Sequence, residues 1–178
     1  MAPTNMLGLT TLGTFHTAIG LIALGAGFVA LFRYKEISLR TMAGQIYVLT
    51  TVIVCLTGFG IFQHGGFGKP HILGIITLAV LAIAAIAGYT RLFGRLSPYV
   101  ETVSYSATFF FHMIPTITEG SIRLPPGAPL LSSPEAPELQ TATAVLFVVF
   151  LIGATLQVLR IRAARRRGSG PALQGTPL

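Results

Sequence analysis

Residues 71–93 read HILGIITLAVLAIAAIAGYTRLF, and Arg91 carries the only formal charge in this run. A helix needs about 20 mostly apolar residues to cross the roughly 30 Å hydrocarbon core of a bilayer, so the run predicts a membrane span. Four further stretches have the same character, at residues 9–32, 41–63, 98–118 and 139–160. Because backbone polar groups must be paired in hydrocarbon, we predict an all-α membrane helix bundle of five transmembrane helices, four forming a core and the fifth beside them.

The overall composition supports lipid as the solvent of this chain. Of its 178 residues, 52% are apolar and only 10% are charged, whereas a soluble domain carries about 25% charged residues. The mean hydropathy of +0.75 excludes an ordinary soluble globule. Cys55 is the only cysteine, which excludes disulfides within the chain and sites built from several cysteines.

The positive charges predict the orientation of the bundle. If the chain crosses the membrane five times, ten of its twelve Lys and Arg residues fall on one side. These ten are Arg33, Lys35, Arg40, Arg91, Arg95, Arg160, Arg162, Arg165, Arg166 and Arg167. The positive-inside rule then places the N-terminus outside and the C-terminus inside a bacterial inner membrane. The basic C-terminal segment is expected to touch anionic lipid and not nucleic acid.

The chain is predicted to form one transmembrane domain over residues 1–167. The tail at 168–178 is expected to be disordered. The longest connection, at 120–138, is rich in Pro, Ser and Glu and is predicted to be an outer loop. This loop would be the docking surface if the protein is an accessory subunit of a larger membrane complex.

Small residues recur along the first span. Gly13, Gly20 and Gly27 are seven residues apart, and the same spacing separates His16, Ala23 and Ala30. Together they form a seam of low bulk, of the kind that lets membrane helices approach closely.

The fourth span carries a polar stripe. Spacings of four, three, four and seven residues place one set of polar side chains on a single helical face. The set consists of Glu101, Tyr105, Thr108, His112 and Glu119. Ionisable groups in a membrane cost about 2.5–3.5 kcal/mol each on insertion scales and are usually retained for function. We therefore expect the stripe to face the bundle.

The four histidines all belong to the outer half of the predicted bundle. His16 and His112 each lie about 10 Å from the outer end of their span at 1.5 Å per residue. His64 and His71 flank the outer turn between the second and third spans. We predict a site with His16 and His112 at its centre and His64, His71 and Glu119 around its mouth.

Several chemistries fit such a cluster. Two imidazoles from different helices can bind the iron of haem b, and histidines with Glu119 suit a transition metal. A His–Glu relay can instead protonate a quinone or pass protons in a carrier. Hydrogen bonding between helices, with no ligand, is a further interpretation. The sequence contains no motif that assigns an enzymatic reaction.

A second polar cluster is predicted at the inner side. It consists of Arg40, Gln45, Tyr47 and Glu101. Its simplest interpretation is an interfacial belt in which Arg40 pairs with Glu101 and so offsets the burial of that carboxylate.

Residues 10–124 resemble a bacterial family of multi-pass membrane proteins without assigned function. The similar segments are HTAIGLIALGAGFVALF, LRTMAGQIYVLT, GGFGKPHILGIITL and SYSATFFFHMIPTITEGSIRLP. They contain the family's early His and Gly residues, its basic turn and its Gly-x-x-Tyr motif, here His16, Gly20, Arg40, Gly44 and Tyr47. Gln45 and Thr41 stand where that family has a basic residue and a His. The resemblance implies membrane placement and no activity.

Overall fold

The computed structural model describes residues 9–62, 66–90 and 92–168. These residues form five α-helices and no strand. The helices are α1 at Thr11–Val29, α2 at Met42–Gly58, α3 at Lys69–Tyr89, α4 at Ser97–Arg123 and α5 at Pro137–Gly168. A π-helical segment at Ala30–Tyr34 continues α1, and a short 3₁₀ turn at Gly94–Leu96 precedes α4. The predicted all-α class and the five helices are confirmed.

Three of these helical segments are long and apolar enough to cross a membrane, at Thr11–Tyr34, Lys69–Tyr89 and Pro137–Arg167. Helix α2 has 17 residues and ends earlier than the span predicted at 41–63. It stops where Gly58 and Gly60 weaken helix formation. Its length is about 26 Å at 1.5 Å per residue.

The last two helices are longer than their predicted spans. Helix α4 continues through Pro115 to Arg123, so the connection predicted at 120–138 begins only after α4 ends. The main chain there folds back, because the amide of Leu131 donates to the carbonyl of Ser121 over 3.0 Å. Helix α5 includes Gly168, the first residue of the tail predicted to be disordered. The rest of that tail lies outside the described residues.

The seam on α1 is buried as its seven-residue spacing predicts. Thr10 caps the helix, its hydroxyl accepting from the amide of Gly13 over 3.1 Å. The buried residues that follow are Gly13, Gly20, Ala23, Leu24 and Gly27. The π-helical continuation ends at Tyr34 and is followed by Lys35, whose φ of 65° is left-handed. The first helix therefore packs through its small residues.

Helices α1 to α4 provide the core. Helix α1 packs mainly on α2, α3 on α4, and α2 on α3. The buried apolar cluster combines side chains of these four helices with Ile37 from the connection between α1 and α2. The helical members include Ala23, Leu24, Tyr47, Leu81, Ala84, Tyr105 and Phe109. Helix α5 packs on α4, and only 6% of the most apolar stretch of α5 is buried inside the bundle. Helix α5 thus lies beside the core that α1 to α4 provide.

Several basic side chains meet at one end of this bundle, which we call the basic end. Arg40, in the turn before α2, pairs with Glu101 on α4. On α5, Arg160 donates to the carbonyl of Tyr34 over 2.8 Å, and the guanidinium of Arg165 lies 5.1 Å from the ring centroid of Tyr99. The turns after α1 and before α4 therefore lie at the same end as the last turns of α5.

Candidate functional site

Most of the polar stripe on α4 is buried in the bundle. Glu101 and His112 are each 8% exposed, and Tyr105 and Thr108 are fully buried. Because these four residues recur every three or four positions, one helical face presents all of them to α1, α2 and α3. Glu119 is half-buried, and its Oε2 lies 2.6 Å from Nε of Arg123, one turn further along α4. The stripe is thus a buried row that ends in an ion pair.

One ring nitrogen of His16 is hydrogen-bonded to α2. Its Nδ1 lies 3.0 Å from Oγ1 of Thr57 on α2. The hydroxyl of Thr57 donates its own proton to the carbonyl of Ile53 over 2.8 Å. Since a hydroxyl has one proton, this arrangement favours the tautomer in which the Nδ1–H of His16 donates to Thr57. The Nε2 atom of neutral His16 then carries a lone pair.

Glycines lie beside both deep imidazoles, and the contact is tight at Gly58 and ordinary at Gly20. A Cβ built at Gly58 would lie 3.3 Å from Cε1 of His16. A Cβ built at Gly20 would lie 3.6 Å from Nε2 of His112. Gly20 follows His16 by one helical turn, so His112 packs against the α1 face that carries His16.

The two deep histidines are related through Gly20 on α1. His112 packs against this glycine, which follows His16 by one helical turn. A site with His16 and His112 at its centre stays a prediction.

His71 lies at the start of α3, where it packs between two aromatic rings and caps the helix. It is 5% exposed and stacks with Phe62 and Phe67, at centroid distances of 5.0 and 5.1 Å. Its Nδ1 accepts from the amide of Gly68 over 3.2 Å and so caps the start of α3. A histidine three residues after the N-cap is well placed to satisfy a free amide there. His64 lies outside the described residues.

The described residues contain no group of three or more His, Cys, Asp or Glu side chains that could hold a metal ion. The predicted metal set comprised His16, His112, His64, His71 and Glu119, and its four described members do not form such a group. Part of the reason is that His71 serves as a helix cap and Glu119 is paired with Arg123.

The predicted pairing at the basic end is present. Nη1 of Arg40 lies 3.1 Å from Oε1 and 3.3 Å from Oε2 of Glu101. Nη2 of the same guanidinium donates to the carbonyl of Gly88 over 3.0 Å. Gln45 instead donates to the carbonyl of Leu39 over 2.9 Å, at the start of α2. Arg40 thus joins the α1–α2 turn to α3 and α4.

Tyr47 belongs to the interior and not to an interfacial belt. Its hydroxyl lies 3.0 Å from Oγ1 of Thr108, and Thr108 donates to the carbonyl of Tyr105 over 2.8 Å. Tyr47 is therefore the donor to Thr108. The hydroxyl of Tyr105 is buried without a hydrogen-bond partner in the described part of the chain. Between Glu101 and His112, then, the buried row contains three hydroxyl groups.

Sequence reasoning missed Thr57, Gly88 and Gln157. Gln157 accepts from Ser106 over 2.9 Å and donates to the carbonyl of Lys35 over 2.9 Å. An amide inside the apolar run of α5 was a visible signal, because such a group must find partners in hydrocarbon. Thr57 and Gly88 carry no such signal, since threonine and glycine are common in membrane helices.

Comparison with known proteins identifies no relative of this chain. No protein family matches it, and no curated protein or solved structure is significantly similar. The resemblance noted from the sequence thus stays an interpretation, and any function must be argued from the site itself.

Proposed function

We propose that this chain is a multi-pass protein of a bacterial inner membrane that crosses the bilayer five times, with its N-terminus outside and its basic end inside. Helices α1, α3 and α5 have the length and hydropathy of spans. Helix α2 is within the usual range of about 17–25 residues. Helix α4 is less apolar, but its polar face is directed into the bundle, where the cost of burial is offset by partners.

We further propose that the protein transfers protons along the buried face of α4. The observation that supports this is the row of ionisable and hydroxyl side chains that runs from the Arg40–Glu101 ion pair to the His16–His112 pair. The α4 members of this row are Glu101, Tyr105, Thr108 and His112. Hydroxyls and imidazoles are both donors and acceptors, so each can receive a proton on one side and release one on the other.

Proton transfer along the row requires water molecules between the side chains, because the steps are longer than a direct hydrogen bond. Glu101 and His112 are separated by about 16 Å along the helix at 1.5 Å per residue. The intermediate steps are three or four residues, which is about 4.5–6 Å each. A single water can bridge two polar groups at such a separation. In the tautomer with hydrogen on Nδ1, Nε2 of His16 supplies a proton acceptor at the end of the row opposite the basic end.

A metal or haem function has weaker support from the geometry. Structural and catalytic zinc sites use three or four protein ligands, and the described residues offer two histidines at the pair. Haem iron needs only two axial imidazoles. The spaces beside Gly20 and Gly58 are, however, already occupied by the imidazoles themselves. The rings therefore pack on helices, which favours proton exchange over binding of a macrocycle.

Proton flux into vesicles tests this function. The purified protein is reconstituted into liposomes that contain a pH-sensitive dye, and flux is driven by a potassium diffusion potential. We expect flux above that of empty vesicles, and at least a tenfold loss in His112→Gln and Glu101→Gln. His71→Asn is the matched control, because asparagine retains an acceptor for the helix cap and His71 is outside the row.

Two results would contradict the proposal. One is a wild-type flux equal to that of empty vesicles at a comparable amount of inserted protein. The other is unchanged flux in both row variants, provided that they elute as the wild type does in size-exclusion chromatography. The second result would leave the row with a purely structural role.

A further inference from the structure

A cavity at the basic end is separate from the histidine pair. It has a volume of about 180 Å³ and lies among the α1–α2 turn, the start of α4 and the last turns of α5. Its polar lining comes from Glu36, Ser38, Arg40, Glu101 and Thr102. Its apolar lining includes Ile37, Pro98 and Ile161. The cavity thus combines both charge signs with an apolar wall.

The charges of this cavity do not cancel. Arg40 and Glu101 neutralise each other as an ion pair. Glu36 makes no ion pair within the part of the chain that the structure describes. A net negative charge therefore remains at Glu36, and it favours a cationic group in the cavity.

Part of the Arg40 side chain is exposed and can contact an anion. Its side chain is 67% exposed although one nitrogen binds Glu101 and the other binds the carbonyl of Gly88. A guanidinium has five N–H donors, and these contacts leave some of them free. Phosphate oxygens are preferred partners for such donors. The cavity thus offers a carboxylate to a cation and, a few residues away, a guanidinium to a phosphate.

The size and position of the cavity indicate how a ligand would enter. Pockets that enclose a whole drug-sized ligand have about 300–1,000 Å³, so this cavity accommodates only the polar head of a larger molecule. Ile161 lies on α5, whose faces are mostly exposed. In a membrane those faces contact acyl chains. An amphiphile can therefore place its head in the cavity and its chains along α5.

We propose that this cavity binds the headgroup of an aminophospholipid, a lipid with a primary ammonium next to a phosphodiester. The ammonium contacts the carboxylate of Glu36, and the phosphate contacts the outer face of Arg40. The three N–H donors of a primary ammonium suit the oxygen-rich lining better than a trimethylated ammonium, which has none. This inference uses the proposed membrane placement but does not depend on proton transfer.

Native mass spectrometry of the detergent-purified protein tests this site. The protein is titrated with phosphatidylethanolamine, with phosphatidylcholine and with phosphatidylglycerol of identical acyl chains. We expect at least tenfold more bound phosphatidylethanolamine than phosphatidylcholine at equal lipid concentration. Glu36→Gln should remove that preference, and Ile161→Trp should reduce binding by filling the cavity. Glu138→Gln, an exposed glutamate outside the cavity lining, is the matched control.

Each other outcome has a definite meaning. Equal binding of the ethanolamine and choline lipids would overturn the proposal, because the ammonium donors would then play no part. A preference for phosphatidylglycerol would show a site for anionic lipid, governed by arginine alone. A preference for phosphatidylethanolamine that survives in both Glu36→Gln and Ile161→Trp would place the lipid elsewhere on the protein.

Discussion

Gly88 on α3 lies directly against the carboxylate of Glu101 on α4, so that a Cβ built at residue 88 would fall 2.7 Å from Oε1. The same glycine offers its carbonyl to Arg40. The ion pair at the basic end therefore depends on a residue without a side chain. This relationship explains how a carboxylate that is 8% exposed can reach its arginine in a closely packed helix pair.

Gly88→Ala is expected to destabilise the protein by displacing that carboxylate. Overpacking at a closely packed site typically costs about 1–3 kcal/mol. The measurement is the free energy of unfolding in mixed micelles with a denaturing detergent. Gly153→Ala on α5 is the control, because a Cβ there meets nothing within 4 Å. Equal stability of the two variants would show that Glu101 adapts without loss.

A pair of glycines on α1 gives a second prediction about close packing. A Cβ at Gly27 would lie 2.5 Å from two atoms of the buried Phe109 ring, whereas a Cβ at Gly25 meets nothing within 4 Å. That ring is also held edge-on by Phe28 at 5.0 Å. Gly27→Ala should therefore cost about 1–3 kcal/mol.

Gly25→Ala should be neutral or slightly stabilising, since alanine is the better helix former. Both variants are compared by thermal unfolding under one detergent condition. A loss of stability in Gly25→Ala as large as in Gly27→Ala would contradict a seam that contacts α4 on one face only.

Much of this fold follows from patterns that depend on local physics. The five helices and the buried stripe on α4 can be predicted from the sequence, because hydropathy and a 3.6-residue period are properties of a single segment. The pairing of Arg40 with Glu101 could be predicted because two opposite charges near one end of the bundle have few other partners. The end of α2 at Gly58 was harder to predict from the sequence, since apolar residues continue beyond Gly58.

The details of the site depend on contacts between helices, which a single sequence does not specify. The depth of His16 and His112 is readable from residue counts, but the packing of His112 on Gly20 requires the rotation of both helices. The cap formed by His71 could not be distinguished from a ligand role, because both use a histidine near the turn. Equal depth is therefore a weaker predictor than a shared face.

The hydrogen bond from Tyr47 to Thr108 gives a prediction for a double-mutant cycle. Thr108→Val leaves a fully buried Tyr47 hydroxyl without its partner, and such a loss costs about 1–3 kcal/mol. Tyr47→Phe should cost less, because Thr108 still donates to the carbonyl of Tyr105.

The double variant should be more stable than the sum of the single effects predicts. The coupling measured by equilibrium unfolding should be near the average of about 0.6 kcal/mol for membrane proteins. Strictly additive effects would show that the two hydroxyls do not interact in the folded protein.

The tautomer of His16 is a prediction that does not depend on any function. Because Thr57 uses its proton on Ile53, neutral His16 should carry its hydrogen on Nδ1. Nitrogen-15 NMR of histidine-labelled protein reports which ring nitrogen is protonated. The resonance is assigned with His16→Gln. Thr57→Val should shift it and Thr57→Ser should restore it, since serine keeps the hydroxyl. A wild-type signal with hydrogen on Nε2 would contradict the arrangement.

The attachment of α5 gives the last prediction. Gln157 is the buried polar residue that links α5 to two other parts of the chain, through Ser106 on α4 and the carbonyl of Lys35 after α1. Gln157→Leu keeps a side chain of similar size but removes both hydrogen bonds. It also leaves the Ser106 hydroxyl without this partner. Two lost bonds at about 0.5–1.5 kcal/mol each predict a destabilisation of about 1–3 kcal/mol.

Thr155→Val is the matched control, because among the described residues the Thr155 hydroxyl bonds only the carbonyl of Leu151, on its own helix. The readout is proteolysis in the connection between α4 and α5 together with thermal unfolding. Gln157→Leu should melt at a lower temperature and release α5 faster once that connection is cut. Equal release in the two variants would mean that apolar packing against α4, including the Phe110 contacts with Phe147 and Phe150, holds α5 without help from Gln157.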